Sequence, residues 1–468
     1  MSTISSLGVG SGLDLSTLLD QLTESEQAKL EPITAKQESY STKLSAYGTL
    51  KSALTTFQTA AGKLNDASLY ENVSATTSGS AFTATADSTA VGGKYSISVT
   101  QLAQAQSQIT AGVADSSVSI GDGTASTITL KVGSNENINV TVDSNNNTLE
   151  GIRDAINAEN AGVTATIVNT GGADGADPYR LVLTSDQTGT ESTVAVTVDD
   201  KAGTGSSGLS LSSVFGSMTQ TVAAQNASLD INGISITSQS NTVEGAIQGV
   251  TLNLSETTSS SQSLTLAKDT DSVKSAVSDF VTAYNQLTST VQSLRKVDTD
   301  DTDNSGVLVG DSTLSRIESQ LKSALTAQTS TSDSFSYLSQ VGVSLQKDGT
   351  LAIDDGKLDK ALSGDLANVA SLLVGTDTDD DDGVIGGLSS TLTQLLDDNG
   401  ILANATSGIE STLDDLGKQE ERMQDSIDAT VARYKGQFTQ LDVLMSTLNS
   451  TSDYLTQQFD AMNNTSDS

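Results

Sequence analysis

The chain has 468 residues, enough for several domains, and is 35% hydrophobic but only 3% aromatic, so its cores must be built from Ala, Val, Leu and Ile on regular elements. Its formal net charge of -35, with no stretch that gathers Lys and Arg, argues against nucleic acid or an anionic membrane surface as a partner. The lack of Cys and His removes thiolate nucleophiles, disulfides, imidazole bases and the commonest ligands for zinc, iron and copper.

The N-terminal stretch contains Gly8, Val9, Gly10, Ser11 and Gly12. It follows no strand, has no third glycine at the required offset and no Lys of a phosphate loop, so it reads as a flexible lead into a helix with Asp14 near the helix start. A helical pattern then runs through Leu15, Leu18, Leu19 and Leu22, and through Ile33, Tyr40, Leu44, Tyr47, Leu54, Phe57, Ala61 and Leu64. Pro32 removes a backbone donor and restricts Glu31, which predicts two helices over 14–30 and 33–65.

Beyond Asp66 the periodicity changes from three-and-four to two. Alternating runs rich in Val, Ile and Thr predict strands over 81–86, 94–101, 127–132, 138–143, 163–168, 180–184, 193–198, 228–237 and 250–256. Thr148 is placed to cap a short helix whose apolar face is Leu149, Ile152 and Ile156. The segment from Asn241 to Ala246 repeats the one from Asn147 to Ile152 almost residue for residue, which predicts an internal duplication and two related β-rich domains.

Helical spacing returns at Val273, Val277, Phe280, Tyr284, Leu287, Val291 and Leu294 and again over 314–325, so the β-rich middle is an insertion between helical arms. Asp348 and Gly349 lie between two alternating runs as a hairpin turn should, and a further helix leads to Leu373. The C-terminal segment steps four and three through Ile427, Val431, Tyr434, Phe438, Leu441, Met445, Leu448, Ser452, Leu455, Phe459 and Met462, a heptad seam. Ile409, Leu413, Leu416, Glu420 and Met423 continue it upstream, and two consecutive steps of four meeting at Ile427 form a stutter.

Candidate chemistry is sparse. The acidic runs over 298–303 and 377–382 have calcium-loop character, but Ser312 stands where the first needs a bidentate Glu and Asp382 where the second needs Gly; both read as solvated loops. Without His no Ser-His-Asp arrangement exists, and no cofactor, metal or enzymatic activity is expected. No apolar run is long enough to span a bilayer, and the N-terminus lacks the layout of a cleaved secretory signal. The terminal seams either close an intramolecular bundle or also dock against neighbouring subunits; two long stripes at opposite ends exceed what one small core needs, which favours docking.

Several motifs resemble one family. The opening Ile4-Ser5-Ser6-Leu7-Gly8-Val9-Gly10-Ser11-Gly12-Leu13-Asp14-Leu15 resembles the start of flagellar filament-capping proteins, the FliD or hook-associated protein 2 family. Lys94-Tyr95-Ser96-Ile97-Ser98-Val99-Thr100-Gln101-Leu102-Ala103-Gln104 resembles the first strand of that family's head. The hairpin between Leu345 and Asp354, with Lys357, Leu358 and Leu362, resembles its late motif, and the Asn147 and Asn241 elements resemble flagellin-type insertion repeats.

The resemblance implies an α+β multidomain protein with helical coiled-coil legs formed by both termini and inserted β-rich head domains. It places a terminal leg at 1–42 and 410–468, a helical leg domain at 43–69 and 272–409, a β-rich head domain at 70–106 and 220–271, and an outer head domain at 107–219. It further implies a homo-oligomeric ring, a pentamer in the family's usual description, at the distal filament end, where it retains exported flagellin and helps it fold and polymerise. The flagellar type III export machinery and a chaperone are the implied route, through an uncleaved N-terminal signal.

Leu7, Gly8, Gly10, Gly12, Leu13, Asp14 and Leu15 are then expected to serve export and filament docking. Ile427, Val431, Tyr434, Phe438, Leu441, Met445, Leu448, Leu455 and Phe459 form the C-terminal docking seam. Segments 1–42 and 410–468 are expected to complete their fold only in the assembly. The alternatives are another flagellar axial protein, such as a flagellin, and a surface adhesin whose head binds mucin or host glycan.

Overall fold

A computed structural model describes residues 7–9, 12–171, 177–298, 305–376 and 382–465. The chain forms two compact units: a helical one from residues 1–67 and 270–468, and a β-rich one from 68–269.

The helical unit begins with α1 (Leu15–Gln27) and α2 (Glu31–Leu64). The break between them is the one Pro32 predicts: it stands in the first turn of α2, where its missing N–H costs nothing.

Within the β-rich unit, α3 (Ser68–Glu71) precedes β1 (Val73–Thr77), β2 (Phe82–Ala86), β3 (Gly93–Gln101), β4 (Ala105–Ile109), β5 (Ser126–Val132) and β6 (Ile138–Val142). Next come α4 (Leu149–Ala158), β7 (Val163–Asn169), β8 (Tyr179–Thr188), β9 (Val194–Asp199), α5 (Leu211–Phe215) and β10 (Thr219–Val222). β11 (Ala227–Ile231), β12 (Ile234–Ser238), β13 (Thr242–Ile247), β14 (Val250–Leu254) and β15 (Gln262–Lys268) complete it.

Two cores result. One lies between the sheet ordered β1-β15-β3-β11-β12 and the sheet β13-β14-β2, filled by Phe82, Ile97, Val99, Leu229, Leu252 and Leu264. The other lies among the sheets β10-β4-β8-β7 and β6-β5-β9, filled by Ile128, Leu130, Leu181 and Leu183 and covered by Leu149, Ile152 and Ile156 of α4. The first and last strands, β1 and β15, pair antiparallel from Val73 opposite Lys268 to Thr77 opposite Leu264, so the unit closes on itself.

The structure corrects two expectations here. The run over 228–237 is two strands: Asn232 and Gly233 both have positive φ (53° and 84°) and form the two-residue hairpin turn between β11 and β12. The repeated sextet adopts two different structures. At the first copy Thr148 caps α4 by accepting from the Gly151 N–H at 3.1 Å, and three apolar residues at helical spacing bury its face. At the second, Thr242 to Ile247 is strand β13, with Gly245 at a φ of 72° beside a register shift between Glu244 and Ile247. Only Val243 and Ile247 are available to bury there before Gly249 turns the chain, so strand pairing with β14 satisfies the backbone instead. The periodicity does not mark β1, β4 and β10, whose runs are short and rich in Ser, Thr and Gln, nor β13 and β15.

Back in the helical unit, α6 (Thr270–Arg295) packs along α2, with Phe57 at ring-centroid distances of 5.2 Å from Phe280 and 5.4 Å from Tyr284. α7 (Ser312–Leu325) precedes the hairpin of β16 (Val343–Leu345) and β17 (Leu351–Ile353). Gly349 (φ 86°) turns this hairpin at the predicted site, and Asn285 of α6 brackets Leu351, donating to its C=O at 2.9 Å and accepting from its N–H at 2.7 Å. The helices α8 (Asp355–Leu373), α9 (Val384–Leu396) and α10 (Ile401–Thr465) follow. The acidic positions 299–304 and 377–381 lie outside the described residues.

Phe57 is fully buried in the α2–α6 contact. Phe57→Ala should therefore destabilise the helical unit by about 3–5 kcal/mol, read as an earlier loss of helical circular dichroism in urea while the β-rich unit's transition stays in place.

Candidate functional site: the terminal helices

α10 is a single helix of 65 residues that runs unbroken through the stutter at Ile427. At 1.5 Å per residue it is about 98 Å long, whereas α1, with 13 residues, covers about 20 Å. α2 packs beside the first part of α10, where Gln37 donates to Glu420 at 2.8 Å, and α1, α9 and α7 also contact it. Past the reach of these partners the stripe is uncovered.

Exposure along the predicted seam records this directly. Ile427 is 1% exposed; Val431, Tyr434, Phe438 and Met445 are half-buried; Leu441 is 38%, Leu448 53% and Phe459 62% exposed, and Leu455 is exposed as well. The seam thus passes from core to open surface within one helix; the Met462 side chain lies outside the described residues.

The structure adds residues that heptad spacing left out. Leu444 widens the stripe, and Val443 and Tyr454 are exposed on another face. Eleven positions separate the last two, about three turns, so they share a face, about 200° around the helix from Leu441. The signal is present in the residue types: between Gly436 and Thr465 the acidic residues are Asp442, Asp453 and Asp460, and no Lys or Arg occurs. A helix end whose other polar positions are Ser, Thr, Asn and Gln offers a surface poor in charge.

At the other terminus, Leu7, Gly8 and Val9 form a turn that closes onto α1, with the Gly12 N–H donating to the Gly8 C=O at 2.9 Å. Gly8 has a φ of 94° and a Cβ built on it would stand 2.1 Å from the Leu13 C=O, so only glycine fits. Gly10 lies outside the described residues. Gly12 and Asp14 are exposed, Leu15 and Leu19 are buried, and Val9, Leu13 and Leu18 present an apolar surface to solvent. Asp14 caps α1, accepting from the Thr17 N–H at 3.2 Å and the Ser16 hydroxyl at 3.1 Å. The Thr17 hydroxyl and N–H, with Ser16, hold its carboxyl below the usual carboxylate range.

Among the described residues no group of three or more Asp and Glu is placed to hold a metal ion, and no helix is long and apolar enough to cross a membrane. A cleft of about 430 Å³ between α7 and α9 is lined by amides and hydroxyls, including Gln320, Ser323, Thr391 and Gln394, with no acid–base pair across it.

Truncations along the seam should separate stability from association. Ile427→Ala should cost about 2–5 kcal/mol, whereas Phe459→Ser should leave stability within about 0.5 kcal/mol and weaken self-association measured by sedimentation. The Asp14 cap has the sign of a depressed carboxylate: its stabilisation is complete above the ordinary carboxylate pKa and is lost as the pH falls through the lowered value. Acidification should therefore fray the start of α1, seen as faster amide exchange at Thr17. Asp14→Asn, which caps without titrating, should abolish that dependence.

Comparison with known proteins gives consistent matches. Residues 224–450 match the family described as Flagellar hook-associated protein 2 C-terminus, residues 11–106 the corresponding N-terminus, and residues 127–187 the Flagellin hook IN motif. The last match covers the α4 element, not the Asn241 segment. The Flagellar hook-associated protein 2 of Escherichia coli K12 is 44% identical over 99% of this chain and 100% of its own length. That of Salmonella typhimurium is 39% identical over 99% and 100%. The crystal structure of the D1-D2-D3 domains of the flagellar cap protein FliD from Escherichia coli superposes with a TM-score of 0.63 at 41% identity, covering 78% of this chain and 99% of that one. Full-length identity at this level, with family matches at both arms and in the insertion, shows that this chain belongs to the flagellar hook-associated protein 2 family, a family of structural flagellar cap proteins.

Proposed function

We propose that this protein caps the distal end of the flagellar filament as a homo-oligomeric ring, retains exported flagellin there and promotes its folding and polymerisation, as motility requires. The observation that carries the proposal is the α10 seam, buried at Ile427 and open by Phe459, which leaves an apolar strip to be covered by neighbouring subunits or filament. A ring of five is the expected stoichiometry. Delivery runs through the flagellar type III export machinery with a chaperone, and the segment 7–15 serves export and then filament docking.

In this reading residues 1–42 and 410–468 form the terminal leg, 43–69 and 272–409 the leg domain, 70–106 and 220–271 the head, and 107–219 the outer head. The terminal leg completes its fold on assembly. The absence of Cys in the sequence suits passage of an unfolded chain through a narrow channel without crosslinking. The alternatives, a flagellin-like axial protein and a mucin- or glycan-binding adhesin, gain nothing from relatives that are named as hook-associated proteins.

The test is deletion of the gene with recovery of the culture medium. Short or absent filaments and monomeric flagellin in the medium are expected, and a chain with Leu448→Asp and Phe459→Asp should fail to complement; normal filaments in the deletion strain would reject the assignment. Because the strip from Gly436 onward carries no cation, assembly through it should persist in 1 M salt, about 3 Å of Debye screening, where an ion-paired interface would weaken.

A further inference from the structure

In the β-rich unit, strand β7 lies at the rim of the sheet β10-β4-β8-β7. Its seven residues, Val163-Thr164-Ala165-Thr166-Ile167-Val168-Asn169, pair with β8 in continuous register with no bulge. They include no Lys, Arg, Asp, Glu or Pro, the residues that usually spoil a strand edge for pairing. The backbone groups of Gly162 and Thr170 bond toward β8, through Asp186 and Pro178. Parity along the strand therefore turns the N–H and C=O groups of Val163, Ala165, Ile167 and Asn169 outward, away from β8.

At the centre of that outward edge stands one side chain. Asn157, on the last turn of α4, accepts from the Ala165 N–H at 2.7 Å through Oδ1 and donates to the Ala165 C=O at 2.9 Å through Nδ2. An asparagine amide carries the same donor and acceptor pair as a peptide unit, so it satisfies one residue of the edge as a neighbouring strand would. The same geometry holds Ala103 through Asn241 and Leu351 through Asn285. At those two sites the clamp ties internal segments together; at Ala165 it occupies an edge that would otherwise be free, and Asn157 itself is exposed to solvent.

We propose that Asn157 is a plug that keeps β7 from pairing with the β7 edge of a second copy of this chain. The second copy is the fitting occupant for two reasons. An antiparallel pair centred on Thr166 would set Val163 opposite Asn169 and Ala165 opposite Ile167, so the edge is complementary to itself. Copies that carry a net charge of -35 repel one another almost everywhere, but this edge bears no charge to oppose the approach. The role is independent of the capping assignment, since it concerns the β-rich unit alone.

The test compares the full-length protein with Asn157→Ala, and with Asn157→Ala combined with Val168→Lys, which places a charge on the exposed side of the strand. Asn157→Ala should speed exchange of the Ala165 amide about tenfold. It should also add a concentration-dependent species in sedimentation velocity with an intermolecular β-sheet infrared band, and Val168→Lys should remove both. An Asn157→Ala protein that stays folded and sediments as the parent does at every concentration overturns the proposal, as does an added species that survives Val168→Lys. If Asn157→Ala does not fold, Asn157→Ser, which is neutral and lacks the amide's donor and acceptor pair, is read by the same criteria.

Discussion

A helix of 65 residues with an apolar stripe along its length can bury only as much of that stripe as its neighbours reach. In this chain the neighbours are α2, α1, α9 and α7, and they run out before the helix does. Where α2 lies alongside, Ile409, Leu416 and Ile427 are core residues. Where no neighbour lies alongside, Leu448, Leu455 and Phe459 have the same residue types at the same spacing and remain in contact with water. Burial of each such side chain is worth about 1.5–3 kcal/mol, so the uncovered end holds a reserve of association energy that folding of one chain does not use. Under the proposed function that reserve drives attachment, because contacts satisfied within the monomer cannot.

The β-rich unit solves a different problem. Short strands with many Ser, Thr and Gln residues leave numerous edges, and an exposed edge invites pairing with another chain. Several edges are closed by side chains. Asn157 brackets Ala165, and on β9 the Gln106 and Gln108 side chains reach the N–H and the C=O of Val194. Polar residues that look unremarkable in the sequence thus act as substitutes for strands. On the proposed function association is then left to the apolar helical termini, whose exposed surfaces are of a different kind.

Much of the architecture was legible without coordinates. The three-and-four spacing located α1, α2, α6, α7 and the C-terminal helix, Pro32 placed the break, and the change to period two after Asp66 marked the insertion. These signals are strong because each comes from many residues obeying one period. The near-identical sextets at Asn147 and Asn241 show where such reading fails. Six residues do not choose between helix and strand; the next apolar positions and the neighbouring strand do. The split at Asn232 and Gly233 carries two signals that a single strand over 228–237 passes over: the apolar positions shift from odd (Leu229, Ile231) to even (Ile234, Ile236) across it, and an Asn-Gly pair is itself a hairpin signal.

By itself the sequence determined the periodicities, the absence of Cys and His chemistry, and the identity of every residue on the C-terminal seam. Only the tertiary structure decided where along that seam burial stops. Exposure depends on the length and placement of α1 and α2, which lie almost the whole chain away. It also decided which polar side chains close which strand edges, because the pairing of Asn157 with Ala165 depends on how α4 packs against β7 and on no pattern within either segment.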